Sequence, residues 1–127
     1  MSSPACQNAS LICVVDDDND VRKAFGFLLR THGFEVEEFD SPSALLASPA
    51  IHRSACFVLD MHMPSLSGLE ILGMLRKRQI NAPAILVTGG DSPQLRSQAA
   101  ESGVAAFLAK PVDGTLLVST IQAATAA

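Results

Sequence analysis

Side chains that can handle a phosphoryl group stand where apolar segments of the sequence stop. Three aspartates follow the first segment, a fourth ends the third segment, and a hydroxyl and an ammonium group end the last two. These residues are Asp16, Asp17, Asp18, Asp60, Thr88 and Lys110. Neighbouring carboxylates repel one another, and Mg²⁺ (or Mn²⁺) relieves that repulsion while keeping water and phosphate oxygens as further ligands. The sequence therefore predicts a divalent-cation site at these segment ends.

Asp60 is the carboxylate to which we assign the chemistry. A carboxylate can attack a phosphoryl group and hold it covalently. The transferring group spreads negative charge over its equatorial oxygens, so charge and position stabilise it more than covalent chemistry does. The compact charge of Lys110 and the hydroxyl of Thr88 suit those oxygens beside a cation. The set predicts a site that receives a phosphoryl group on Asp60.

Five short apolar segments alternate with stretches of helical spacing, and these elements must bring the site residues together. The segments are 11–15, 34–39, 56–59, 84–87 and 105–109. Four of them are nearly all apolar, as in strands that are covered on both faces of a sheet. The second carries Glu35, Glu37 and Glu38, which favours an edge position. Strands alternating with helices predict a parallel sheet with helices on both faces, and ligands bind at the carboxyl ends of such strands.

Local signals mark where the helices begin and end. Ser41 and Ser92 each precede a proline, and Ser67 lies three residues before Glu70. Each of these patterns is typical of a helix N-terminus capped by the serine. Gly33 supplies a C-terminal stop for the first helix. The last helix is expected to bury one stripe, made of Leu116, Leu117, Thr120 and Ile121.

Composition limits the class of protein. A chain of 127 residues that is 48% hydrophobic fits one domain, expected over residues 9–127 after a flexible polar tail at 1–8. The formal net charge of −4 disfavours direct contact with nucleic acid. Cys6, Cys13 and Cys56 have no paired spacing, which indicates thiols in a reducing compartment. No segment has a secretory or membrane-spanning pattern, so we expect a cytoplasmic protein without membrane contact.

Four motifs occur in order at the predicted strand ends: VVDDD at 14–18, VLDMHMPSLSG at 58–68, VTGGD at 87–91 and FLAKP at 107–111. Together they resemble the receiver domains of two-component response regulators, the CheY-like superfamily, from about residue 10 to 122. Residues 21–46 are most similar to the FixJ-like branch. The resemblance implies a flavodoxin-like, doubly wound (βα)5 α/β fold with a parallel five-stranded sheet in the order 2-1-3-4-5.

The resemblance also implies a metal site and an acceptor. Asp60 would be the phosphoacceptor, and Asp17 and Asp60 would bind Mg²⁺ directly. Asp16 would act mostly through water, and the backbone carbonyl of His62 would complete the protein ligands. His62 departs from relatives that often have arginine or another polar residue there, which leaves open its effect on phosphoryl lifetime.

The remaining implied roles concern switching. Thr88 and Lys110 would hold the phosphoryl oxygens, and movement of Thr88 would draw Phe107 inward and reshape the surface of the fourth helix, fifth strand and fifth helix. A cis peptide is expected at Lys110-Pro111. The VTGGD loop has one residue fewer than FixJ-like relatives often have, and Gly89 and Gly90 make it flexible, which leaves its switching geometry open.

The implied partners are proteins. The phosphoryl group would come from a sensor histidine kinase or a phosphotransfer protein. The switched surface would act on a downstream protein, on an output domain of a longer chain, or in a phosphorylation-dependent dimer. The chain would be a switch and not an enzyme, catalysing only its own phosphotransfer and slow autodephosphorylation.

Other interpretations stay open from the residues alone. Asp16, Asp17 and Asp18 taken alone suit a helix N-terminus, and Phe107 suits a core. A phosphatase of the haloacid dehalogenase type would also use an aspartyl nucleophile, but it usually has a second carboxylate where this chain has His62. A binding module that is independent of phosphorylation is a further alternative. A flavin or nucleotide binder is disfavoured because no phosphate-cradling glycine motif is present.

Overall fold

A five-stranded parallel sheet in the order β2-β1-β3-β4-β5 organises the part of the chain that the computed structural model describes, residues 10–90 and 92–126. The strands are β1 (Leu11–Val15), β2 (Glu35–Phe39), β3 (Cys56–Asp60), β4 (Ala84–Thr88) and β5 (Ala106–Ala109). The predicted strand order and the parallel pairing are confirmed. The predicted tail at 1–8, with Cys6, lies outside the described residues.

Five α-helices connect and follow the strands: α1 (Asn19–Thr31), α2 (Pro42–Leu46), α3 (Gly68–Lys77), α4 (Pro93–Glu101) and α5 (Gly114–Thr125). A short 3-10 helix, Pro49–His52, precedes β3 and was not predicted. The predicted caps are confirmed, because Ser41, Ser67 and Ser92 each accept a hydrogen bond from a backbone N–H of the following turn. Gly33 has a φ of 89° just beyond α1, a backbone conformation that glycine adopts without strain.

Helices cover both faces of the sheet. One core is formed with α2, α3 and α4, and it contains Leu45, Leu72 and Ala99. The other core is formed with α1 and α5, and it contains Leu29 and Ile121. Strands β1, β3 and β4 are buried along their whole length, as their apolar sequences predicted.

Three details differ from the sequence predictions. Strand β5 forms the second edge of the sheet within the described residues, so Ala106, Phe107 and Leu108 are only partly buried and Ala109 is exposed. Strands β3 and β4 extend one residue further than predicted and therefore include Asp60 and Thr88. In α5 the buried residues are Leu117, Val118 and Ile121, whereas Leu116 is 49% exposed, since the helix is rotated so that the 117–118–121 face meets the sheet.

The charged strand β2 lies at the opposite edge, as predicted. Its acidic side chains pair with cations, since Arg53 contacts both Glu35 and Glu37 at 3.3 Å. Such charges discourage pairing with a further strand. Among the described residues, no helix combines the length and the apolar character needed to cross a lipid bilayer.

Candidate functional site

Three carboxylates meet at the carboxyl edge of the sheet. Ligand oxygens of Asp16, Asp17 and Asp60 all lie within 4.8 Å of one another. The topology explains this closeness. Strands β1 and β3 are parallel neighbours with Val15 opposite Leu59, so the residues that come next, Asp16 and Asp60, face the same crevice. Asp16 and Asp60 are buried, whereas Asp17 is exposed. The predicted acidic cluster is therefore present.

Asp18 does not join this cluster. Its carboxylate accepts hydrogen bonds from the backbone N–H groups of Asp20 (2.9 Å) and Val21 (3.2 Å), which makes it the N-cap of α1. Its own N–H donates to Asp16 Oδ1 at 2.9 Å. The helix-terminal interpretation is thus correct for Asp18. Its carboxylate caps α1, while its backbone N–H holds one oxygen of Asp16 in place.

The Lys110 ammonium reaches into the cluster from the end of β5. Its Nζ lies 3.0 Å from Asp16 Oδ2 and 3.5 Å from Asp60 Oδ1. The Lys110 N–H donates to the carbonyl of Thr88 at 2.7 Å, and the Lys110-Pro111 peptide is cis, as predicted. Burial acts to lower the pKa of Lys110, but its contacts with Asp16 and Asp60 outweigh burial and raise it. The lysine is therefore a fixed positive charge at neutral pH.

The pKa of Asp60 is shifted by this arrangement of charges. Burial, followed by repulsion from Asp16, raises the pKa of Asp60 from 3.8 to about 6. Lys110 and the His62 N–H, which donates to Asp60 Oδ1 at 3.3 Å, act in the opposite direction. The protein's own groups thus leave negative charge in the crevice only partly compensated.

The donor set fits a hard divalent cation. Asp16 Oδ2 is buried and has no directional hydrogen bond to the described residues, although the Lys110 ammonium forms an ion pair with it. Close carboxylate oxygens, with one member exposed to water, are the ligands that Mg²⁺ takes in proteins. The cluster of Asp16, Asp17 and Asp60 is therefore compatible with a magnesium site.

Thr88 is buried at the end of β4, directly beside the backbone of Lys110. Its Oγ1 donates to the carbonyl of Gly90 and accepts from the N–H of Gly90, both at 3.0 Å. The hydroxyl is thus held within the loop. Asp91, the last residue of the VTGGD motif, lies outside the described residues.

His62 and Phe107, two further residues predicted to belong to the site, differ in exposure. The ring of His62 is exposed, and a methyl group at Gly90 would lie 3.6 Å from its Nε2. Phe107 is partly buried on β5, where the guanidinium carbon of Arg96 lies 5.2 Å from the ring centroid, a cation–π distance. Phe107 also packs against the core on the α2–α4 face of the sheet, so the core interpretation describes its present contacts.

Two residues near the site were not singled out from the sequence. Arg22 donates from Nη1 to the backbone carbonyl of Asp16 at 2.9 Å. A Cβ at Gly68 would lie 2.9 Å from the carbonyl oxygen of Asp60 and 2.8 Å from Leu86, so only glycine lets α3 begin this close to the end of β3. For Gly68, its position directly after the capping residue Ser67 was a signal that the sequence offered. The contact of Arg22 could not be predicted, because it depends on the direction of the side chain.

Comparisons with known proteins agree with this geometry. The family model described as "Response regulator receiver domain" matches residues 12–122. The chain is 35% identical over 111 residues to the transcriptional regulatory protein FixJ of Rhizobium meliloti (strain 1021), covering 87% of this chain and 54% of that protein. It is 38% identical over 119 residues to the response regulator protein TodT of Pseudomonas putida (strain F1), covering 91% and 51%. The chain thus spans about half the length of these curated relatives.

A solved structure shows the same likeness. The crystal structure of FixJ-N superposes with a TM-score of 0.82 at 31% identity and covers 99% of this chain and 96% of that one. The predicted resemblance is confirmed by the family match, by the relatives and by the fold. The chain belongs to the response regulator receiver domain family of two-component systems, and within it to the FixJ-like receivers.

Proposed function

We propose that Asp60 of this receiver domain accepts a phosphoryl group from a sensor histidine kinase or a phosphotransfer protein. The observation that supports it most is the contact of buried Asp60 with the Lys110 ammonium inside a cluster of three carboxylates. Among these carboxylates, Asp60 is the one on the central strand β3, with its pKa raised to about 6. An electron-rich, poorly compensated carboxylate beside a fixed cation suits nucleophilic attack on phosphorus.

The transfer follows from the groups around Asp60. One oxygen of Asp60 forms the bond to phosphorus while the bond from phosphorus to the donor's nitrogen breaks. The ammonium of Lys110 gives up its contact with Asp60 and pairs with a phosphoryl oxygen instead. Mg²⁺ or Mn²⁺ held by Asp16, Asp17, Asp60 and the carbonyl of His62 would neutralise charge on the phosphoryl oxygens. Loss of the phosphoryl group to water returns the resting state.

Switching follows from the position of Thr88. A phosphoryl group on Asp60 offers acceptor oxygens that can replace the carbonyl of Gly90 as the partner of the Thr88 hydroxyl. Movement of Thr88 leaves space beside β5, and Phe107 turns inward, leaving its cation–π contact with Arg96. The surface of α4, β5 and α5 then differs between the two states.

The switched surface acts on another protein, on an output domain in a longer chain, or on a second copy of this domain. The curated relatives are about twice as long as this chain, which is compatible with an output segment. The net charge of −4 makes the receiver itself a poor match for nucleic acid.

A labelling experiment tests the proposal. The chain is incubated with Mg²⁺ and a small phosphodonor, and intact mass is followed with time. We expect one acid-stable, base-labile phosphoryl adduct. Asp60→Asn should abolish it, whereas Asp40→Asn, which changes an exposed aspartate just after β2, should label normally. Equal labelling of the Asp60 variant would refute the assignment, and sustained turnover of a phosphate ester would favour the phosphatase alternative.

A further inference from the structure

Arg22 is a largely buried cation beside the acidic loop that follows β1. Its side chain is 12% exposed, and its Nη1 donates to the backbone carbonyl of Asp16 at 2.9 Å. Its Nη2 donates to the side chain of Asn19 in the first turn of α1. One guanidinium therefore joins the end of β1 to the start of α1, and it makes no contact with a carboxylate of the acidic cluster among the described residues.

Glu38 holds Arg22 from the other side. Glu38 Oε1 lies 3.8 Å from Arg22 Nε, and Glu38 Oε2 lies 2.8 Å from Arg30 Nη1. The glutamate is 18% exposed and lies across α1 at Gly26, where a Cβ would be only 2.3 Å from its Oε2. A glycine in the middle of α1 thus leaves the room in which the edge strand β2 can reach Arg22.

The carbonyl that Arg22 binds belongs to the peptide unit that joins two members of the cluster. Because a peptide unit is planar, fixing the carbonyl of Asp16 also fixes the N–H and Cα of Asp17. The Asp16 N–H is tied separately to the carbonyl of Phe39 at 3.2 Å. Both backbone groups of Asp16 are therefore anchored. Its N–H is bound by Phe39 of β2, and its carbonyl is bound by Arg22, which in turn pairs with Glu38 of β2.

We propose that Arg22 is a positioning residue for the divalent-cation site: it fixes the Asp16–Asp17 peptide so that the two carboxylates keep the spacing a cation needs. Glu38 orients the guanidinium and offsets its charge. This inference rests on the cation site of the proposed function. Groups that orient metal ligands commonly contribute 10- to 100-fold to metal affinity.

The sign of the effect separates positioning from simple charge. Removing a positive charge near an anionic site should by electrostatics alone make Mg²⁺ bind more tightly. Loss of the anchor has the opposite effect, because the Asp16–Asp17 peptide must then be ordered by the cation. Arg22→Met keeps the apolar stem but removes both the charge and the donor. Arg22→Lys keeps a donor and the charge, and so serves as the conservative rescue.

The test is calorimetric titration of Mg²⁺ into the whole chain, together with backbone amide NMR shifts of Asp17 and Asp18. We expect Arg22→Met to weaken binding by about tenfold, Arg22→Lys to stay within about threefold of the wild type, and Glu38→Gln to fall between them. The matched control is Arg53→Met, which removes an arginine that pairs with Glu35 and Glu37 of β2 but not with Glu38, and it should leave Mg²⁺ affinity unchanged.

Phosphodonor labelling at varied Mg²⁺ gives a second readout. Arg22→Met should raise the Mg²⁺ concentration for half-maximal labelling while the maximal rate stays within about twofold, because Asp60 and Lys110 are untouched. Unchanged or tighter Mg²⁺ binding in folded Arg22→Met would overturn this inference alone. If Arg22→Met does not fold, wild-type affinity in Glu38→Gln would overturn it. A wild type that binds no Mg²⁺ would overturn the cation site itself, and this inference with it.

Discussion

The Lys110 ammonium lies 3.0 Å from Asp16 Oδ2 and 3.5 Å from Asp60 Oδ1, so one cation just after β5 pairs with two buried carboxylates, one just after β1 and one at the end of β3. In the absence of a divalent cation this contact is the main compensation for their charge. The same lysine must also face the phosphoryl group in the proposed reaction. Stability and function of the site therefore depend on the same side chain.

Lys110→Met should accordingly affect both properties. We expect a loss of about 1–2 kcal/mol in the free energy of unfolding, a modest value because the lysine is partly exposed. We expect the rate of labelling by a phosphodonor to fall about a hundredfold, as when one charge-stabilising donor is removed. Chemical denaturation and timed mass spectrometry measure these two effects. Lys77→Met, at an exposed position, is the control, and a Lys110 variant that labels as fast as this control would contradict the assigned role.

The raised pKa of Asp60 predicts a pH dependence of stability in metal-free protein. The folded carboxyl holds its proton up to about pH 6, whereas the unfolded one loses it near 3.8. The contribution of protonated Asp60 to the free energy of unfolding is therefore fully present below about pH 4 and is lost as pH rises through about 6. Asp60→Asn cannot ionise and should be more stable than the wild type by roughly 2 kcal/mol at neutral pH in EDTA.

This difference should shrink as the pH falls toward 4, and denaturation curves of both proteins across that range measure it. A constant difference between wild type and Asp60→Asn would show that ionisation of Asp60 is not its source.

Mg²⁺ should stabilise the folded chain through the acidic cluster. A ligand that binds only the folded state contributes about 1.4 kcal/mol at ten times its dissociation constant. Thermal unfolding with and without Mg²⁺ measures this shift. Asp17→Asn should remove it. The neighbouring Asp18→Ala removes the N-cap of α1, so it should lower the melting temperature yet keep the Mg²⁺ shift. Loss of the shift in both variants would argue against the division of roles between these two residues.

Two glycines of α3 give opposite predictions for the same substitution. Gly68→Ala brings a methyl group to 2.9 Å from the Asp60 carbonyl and 2.8 Å from Leu86, so it should destabilise by roughly 1–3 kcal/mol. Gly73→Ala meets nothing within 4 Å and should stabilise by roughly 0.5–1 kcal/mol through helix propensity. Urea denaturation of both variants tests this contrast, and a Gly68 variant as stable as the wild type would contradict the close approach.

The sequence was sufficient to predict which residues share the carboxyl edge. Parallel strands end at one edge, so a residue that closes an apolar segment is placed by topology alone, which is why Asp16, Asp60, Thr88 and Lys110 could be grouped. The strand order completed the grouping, since Asp60 on β3 and Thr88 on β4 belong to neighbouring strands.

Features that depend on rotation and side-chain direction could not be predicted in this way. Leu116 fits an apolar stripe, but the rotation of α5 against the sheet leaves it half exposed. The contact of Arg22 with the Asp16 carbonyl depends on Glu38 reaching across α1 at Gly26, a relation among three segments that no local pattern encodes. The partial burial of β5 follows from its place at the sheet edge rather than from its apolar sequence.

Chemical trapping of the phosphoryl group identifies the residue that accepts it. Protein labelled by a small phosphodonor in Mg²⁺ is reduced with borohydride, which converts an aspartyl phosphate to homoserine, and peptide mass spectrometry then reads the modified position. We expect homoserine at position 60 and unmodified aspartate at positions 16, 17, 18 and 40. Homoserine at any of those positions with aspartate retained at 60, or no reducible adduct in folded protein, would contradict the assignment of Asp60 as the acceptor.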